Sequence, residues 1–239
     1  MFLFRIACKD KIHAWDVTKI VALPSAQRTP KIPPREVLDA AAQCFMESGY
    51  SGTTIDDVAR HMGATKGRIY HYFSSKSELM HAVRARAMEI NFDAIRPGFE
   101  SDLPPREKFA VMAAAHALNM IEEKAYQTAL FDSLHTHITR GKESAHDPYL
   151  DDFIANRRAF EDMFRQVLVA GANRGDFAVK TMSYALHTVI TTLNSSIYWY
   201  SPRPGETDAD RRAIAAELVE MALRALGACD TLNPEGRPR

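Results

Sequence analysis

The chain has 239 residues, 46% of them hydrophobic, and 30 basic side chains balance 30 acidic ones. That is enough apolar material for one small domain and one of ordinary size, and the even balance argues against a protein that coats a polyanion along its whole length. No stretch approaches the ~18 uninterrupted apolar residues of a membrane span, and Cys8, Cys44 and Cys229 have neither metal-site spacing nor the even count of a disulfide framework, which fits a reducing cytoplasm.

In chain order, residues 1–34 are an extension expected to be poorly ordered. The opening MFLFRIACKDKIHAW is interrupted by charge too early for a secretory signal, and Pro24, Pro30, Pro33 and Pro34 punctuate the rest of the extension. Lys9, Lys11, Lys19, Arg28, Lys31 and Arg35 could follow a phosphate backbone; an unstructured tail is the plainer alternative. A first helix begins near Val37, with Cys44 in its core stripe beside Ala41 and Phe45.

Residues 54–76, TIDDVARHMGATKGRIYHYFSSK, carry the clearest signal. Thr54 and Asp57 form a capping box for a short helix whose stripe is Ile55, Val58, Ala59 and Met62. Gly63 stands where a left-handed residue ends that helix, and Thr65 caps the next. The second helix turns Lys66, Arg68 and His71 outward while Ile69 and Phe73 point to the core, and Tyr70 keeps its hydroxyl outside. Gly67 leaves its first turn bare. From Arg60 to Lys76 there are four Lys or Arg residues and no Asp or Glu, so the positive charge is local. Ser75 and Glu78 form another capping box, which places Lys76 in a first turn where a phosphate would offset its poor fit to the helix dipole. Two helices in this relation present the second to a DNA groove; a purely structural helical hairpin is the rival reading.

The pattern T-I-x-D-V-A, then G-A-T-K-G-x-I-Y-x-Y-F, then K-S-E-L, running through residues 37–79, resembles the DNA-binding domain of the tetracycline-repressor (TetR) family of bacterial regulators. The resemblance implies a homodimer whose three-helix heads read a palindromic operator and whose larger bodies sense a small molecule. It places Thr65, Lys66, Gly67, Arg68 and His71 in the major groove, with Tyr70, Lys76 and Thr54 on phosphates. Arg68 is the candidate for reading a guanine.

The body, residues 80–228, reads as helical throughout, so the fold class is all-α: a three-helix head over 35–79, a ligand-binding and dimerisation domain, and a tail over 229–239. A strut with Val83, Ala87 and Ile90 should stop at Pro97 and Gly98. Further helices are expected over about 105–124, 127–140, 149–173, 182–199 and 208–226, with the GKESAHDP loop before the third of these. His116, Met120, Phe131, His135 and Phe164 are candidates to line a pocket, although a satisfied core histidine is the plainer reading for His116 and His135. His135 and His137 fall on different helix faces, so no metal pair is expected, and no cofactor. The segment N-S-S-I-Y-W-Y-S-P-R-P-G-E from Asn194 resembles a branch of the same family that answers to acyl-coenzyme A esters or hydrophobic acids, which makes Asn194, Tyr198 and Trp199 candidates for a pocket rim; aromatic packing at a helix end is the rival. The last helix is apolar on two stripes. Ile214, Leu218, Met221 and Ala225 are assigned to a dimer interface, and Ala215, Val219, Ala222 and Leu226 lie on the other.

Two other classes fit the sequence less well. A helical enzyme acting on an acyl thioester lacks any nucleophile elbow, phosphate loop, zinc motif or apolar carboxylate pair. A non-specific architectural DNA protein is disfavoured by the acidic runs DDFIANRRAFED and ETDADRR.

Overall fold

The computed structural model describes residues 34–140 and 149–228, with the backbone alone over 133–140. The N-terminal extension, Cys8, Cys229, the GKESAHDP loop, the C-terminal tail and the side chains of His135 and His137 lie outside the described residues. Within them the chain is helical, without strands: α1 Arg35–Gly52, α2 Ile55–His61, α3 Lys66–Tyr70, α4 Lys76–Glu100, α5 Pro105–Glu122, α6 Lys124–Arg140, α7 Leu150–Arg174, α8 Met182–Asn194, α9 Ser196–Trp199 and α10 Asp208–Ala225. None is long and apolar enough to cross a membrane.

The capping signals explain most of these boundaries. Thr54 and Asp57 make the expected box, the Thr54 hydroxyl accepting from the Asp57 N–H at 3.2 Å and the Asp57 carboxylate accepting from the Thr54 N–H at 2.9 Å. Thr207 and Asp210 repeat the arrangement for α10. At α4 the box is displaced. The Ser75 hydroxyl accepts from the Glu78 N–H at 3.1 Å, but the Glu78 carboxylate reaches one residue further back, to the Ser74 N–H and hydroxyl, both at 2.6 Å.

Two expected boundaries move. α4 passes through Pro97 and ends at Glu100, because a proline so near the last turn removes only one hydrogen bond from a helix held by packing. Gly98 serves that packing: a Cβ there would stand 3.0 Å from side-chain atoms of Met112 and Val111, so its absence lets α5 close on α4. The single helix expected over 182–199 instead breaks at Ser195 into α8 and α9.

The apolar core runs without a break from the head into the body. Val37, Ala41, Phe45, Ile69, Phe73 and Leu79 join Ala87, Ile95, Phe109, Phe164 and Leu186 in one cluster. α4 straddles the expected division at 79/80, and α6 packs against α1 as well as α4, so head and body share two helices' worth of contact.

Candidate nucleic-acid interface and effector cavity

The helix-turn-helix is built around one glycine. Gly63 has φ 62°, a conformation that costs a side-chain-bearing residue most, and the turn it makes lets the Ala64 N–H reach the Ala59 carbonyl at 2.9 Å. α3 is then pinned by Ile69, wholly buried, with Phe73 buried just beyond it. Everything else on α3 faces out: Thr65, Lys66, Gly67, Arg68, Tyr70 and His71 are all exposed. Thr65 holds the N-cap position in extended geometry but its side chain makes no cap hydrogen bond, contrary to its expected capping role.

The cations of this surface are not idle. Arg60 pairs with Asp57 at 2.8 Å, Lys66 with Asp56 at 3.1 Å, and Arg68 with Glu36 on α1. The acid-free stretch therefore gives an incomplete view of the charge, since its partners come from before residue 60. Lys76 is also engaged: Nζ donates to the carbonyls of Tyr50 at 2.8 Å and Thr53 at 2.9 Å and lies 4.4 Å from the centre of the Tyr50 ring. It ties the end of α1 to the start of α4 and has one N–H left for a phosphate. The Thr54 hydroxyl donates to Asp57 Oδ2 at 2.6 Å, so its single proton is committed within the capping box, and a phosphate contact there would have to break that bond. The same hydrogen bond is the main cause that holds the Asp57 carboxyl below its usual range.

In the body, α4, α5, α6, α7 and α8 surround a cavity of about 440 Å³, its open mouth included, in which water-sized molecules could centre themselves over only about 40 Å³. Of the candidate pocket residues, His116, Met120, Phe131 and Asn194 line it. Phe164 does not; it packs in the core against Phe160 and His116, its ring tilted to both. Tyr198 and Trp199 are also absent from the wall. At 77% and 55% exposed they point to solvent, because the break at Ser195 turns α9 away from the face of α8 that carries Asn194.

Sequence reasoning missed the polar half of the lining. Asn91 on α4 and Gln127 on α6 exchange amide hydrogen bonds at 3.1 and 3.0 Å, and the Asn119 amide on α5 donates to Asn91 Oδ1 at 2.7 Å. Amides at apolar stripe positions were the available signal. Arg157 and Glu161, also in the wall, pair with each other at 2.8 Å. His116 Nε2 lies 2.7 Å from Asn194 Oδ1, while Nδ1 is buried with no partner. Burial pushes this imidazole down to about 4, with the Asn194 bond opposing, so it is neutral at pH 7.

Two family models match this arrangement. Residues 37–83 match the bacterial regulatory proteins of the tetR family, and residues 102–226, more than half of the chain, match the tetracyclin repressor-like C-terminal domain. The chain belongs to the tetR family of bacterial regulatory proteins. It is accordingly a DNA-binding regulator of transcription and not an enzyme. This tetR-family chain is 25% identical over 192 residues to the HTH-type transcriptional repressor AcnR of Corynebacterium diphtheriae, a match covering 80% of the chain and 91% of that protein. Among solved structures, the TetR family regulator PfmR of Thermus thermophilus aligns with a TM-score of 0.66 at 26% identity, over 81% of this regulator and 97% of that chain. AibR in complex with isovaleryl coenzyme A and operator DNA shares the fold, with a TM-score of 0.64 at 19% identity over 78% and 96% of the two chains.

On α10 the regulator buries Ala215, Val219 and Ala222 inward, where the helix packs against α5 and α8, and Leu226 is buried at its C-cap. Of the stripe assigned to the dimer, Met221 is 51% exposed, Ala225 is exposed and Ile214 is half-buried. Leu218 departs from the assignment: at 5% exposed it belongs to the chain's own core and forms the floor of an open groove with Trp199, Ile214 and Met221.

Proposed function

We propose that this regulator is a cytoplasmic, ligand-controlled repressor that binds a palindromic operator as a homodimer. The observation that carries the reading is α3: one buried residue, Ile69, anchors a short helix whose remaining side chains all face out. Thr65, Lys66, Gly67, Arg68 and His71 meet the major groove, with Tyr70 and the free N–H of Lys76 on phosphates. The head is residues 35–79 and the sensing and dimerising body residues 80–228.

The dimer forms across the α8–α10 face. Tyr184, Tyr198, Trp199 and Met221 are the large apolar side chains left exposed there, an arrangement that a twofold partner would cover. A second α8–α10 pair would complete a four-helix interface and fix the separation of the two recognition helices.

The effector enters the α4–α8 cavity with a mostly apolar segment that carries an uncharged polar group. Arg157 is neutralised by Glu161 and His116 is neutral, so among the described residues the wall offers no free cation to a carboxylate. Amides and an imidazole suit a thioester or amide group instead. The thioester end of an acyl-coenzyme A ester therefore fits this wall better than a free hydrophobic acid, with its anionic nucleotide end left outside the cavity, and AibR, which shares the fold, is a relative in complex with isovaleryl coenzyme A. The cavity is too narrow for such a group until its walls separate. A ligand that prefers the separated state pulls the recognition helices out of register, and by linkage operator DNA weakens the ligand by the same factor.

Met221→Glu tests the dimer directly. It places a charge in the centre of the apolar face, and native mass spectrometry should show a monomer with intact helix content and at least tenfold weaker operator binding, the loss expected when two half-sites no longer act together. A dimer that survives the substitution with full affinity would move the interface elsewhere.

A further inference from the structure

The head as a whole is not basic. Between residues 35 and 79 it carries five Lys or Arg side chains against six Asp or Glu. Two of those acids lie on the cations of α3: Glu36, in the first turn of α1, holds the Arg68 guanidinium, and Asp56, in the first turn of α2, holds Lys66 Nζ at 3.1 Å. Affinity for DNA of arbitrary sequence comes almost wholly from cations meeting phosphates. Here the cations of α3 already have carboxylates, and each carboxylate on that surface repels an approaching backbone.

We infer that Glu36 and Asp56 are specificity-determining residues, which occupy Arg68 and Lys66 in the free protein and give them up only to the correct operator. The reason is geometric. A guanine offers Arg68 two acceptors, O6 and N7, in the fork arrangement that a carboxylate offers, so exchanging Glu36 for guanine is nearly balanced. A base without that pair leaves Arg68 on Glu36, its charge spent on the carboxylate and not on the duplex. Both pairs can be exchanged, since their four side chains are 47 to 55% exposed and such pairs are weak. First-turn acids also suit their helix dipoles, but that role needs no cation opposite and would be indifferent to DNA sequence.

The inference rests on the operator-binding reading above. The test uses the full-length protein and its Glu36→Gln, Asp56→Asn and Glu47→Gln variants. Glu47 lies on α1 too, but its partner is Gln43, so it is a charge-matched control. Each protein is titrated, over a series of salt concentrations, with the duplex that the wild type retains from a randomised library and with a random duplex of the same length; melting curves confirm folding. Glu36→Gln and Asp56→Asn should each raise random-duplex affinity about three- to tenfold at low salt and steepen the log–log salt slope by about 1 to 2 per dimer. The ratio of selected to random affinity should fall, and Glu47→Gln should leave it unchanged. Equal gains for all three variants, or an unchanged ratio for the first two, would overturn the inference while leaving operator binding intact. A wild type that retains no sequence over random would overturn the operator reading and this inference together.

Discussion

His116 shows how its surroundings set the chemistry of a single residue. Its ring lies 5.0 Å from that of Phe160 and 6.1 Å from that of Phe164, and Asn194 meets one nitrogen. The unfolded chain takes up a proton here near pH 6.5, the folded chain only near 4. Between those values the unfolded state binds more protons, so stability is full above pH 6.5 and falls as the pH drops toward 4, by roughly 3 kcal/mol at about 1.4 kcal/mol per unit. His116→Gln keeps a donor for Asn194 but does not titrate, and its Tm should change less than that of the wild type across this window. Parallel declines would place the acid sensitivity in other groups. The sequence could present His116 as a core or pocket residue, but not as both. Nothing in the local pattern says that Asn194, on a helix far along the chain, supplies one partner and leaves the other nitrogen without any.

At the scale of elements, caps and stripes were the readable features. Thr54 with Asp57, and Gly63, sit at helix ends because each satisfies backbone groups or a dihedral locally, and local demands are written in adjacent residues. Long-range partners are not. The stretch from Arg60 to Lys76 looks uniformly cationic in sequence, yet Glu36 and Asp56 reach its α3 cations once α1, α2 and α3 fold together. Pro97 and Ser195 show the same limit from the other side: tertiary packing carries α4 past a proline and ends α8 at a serine that no breaker marks. Lys76 is where this matters most for experiment. Its ammonium bridges the Tyr50 and Thr53 carbonyls, so Lys76→Ala should destabilise the folded protein by about 1 to 3 kcal/mol, visible as a lower Tm in the absence of DNA. An unchanged Tm with weaker DNA binding would make Lys76 purely a phosphate ligand.

For the whole molecule, two routes join cavity and head. α4 runs through both, with Asn91 in the cavity wall and Leu79 and Met80 in the core near the head. α6 forms the other: the Tyr126 hydroxyl donates to Asp39 on α1 at 2.7 Å, and the next residue, Gln127, lines the cavity and pairs with Asn91. Burial, with Asp39 as acceptor, pushes the Tyr126 phenol well above its usual range, so it remains a donor at any working pH. Any ligand that separates Asn91 from Gln127 therefore pulls on residues one step from the head. The sequence made the strut legible through its stripe, but the α6 route depends on a Tyr–Asp pair far apart in the chain, invisible to periodicity. What remains is whether the two heads, so positioned, read one duplex. Sequencing the duplexes retained from a randomised library by the wild type and by Arg68→Ala measures this. The wild type should select an inverted repeat with half-site centres about 34 Å or a whole multiple apart, and Arg68→Ala should lose preference at one symmetric base pair in each half, at a cost of about 1 to 3 kcal/mol. A single unpaired half-site, or an Arg68→Ala protein with the wild-type preference, would contradict it.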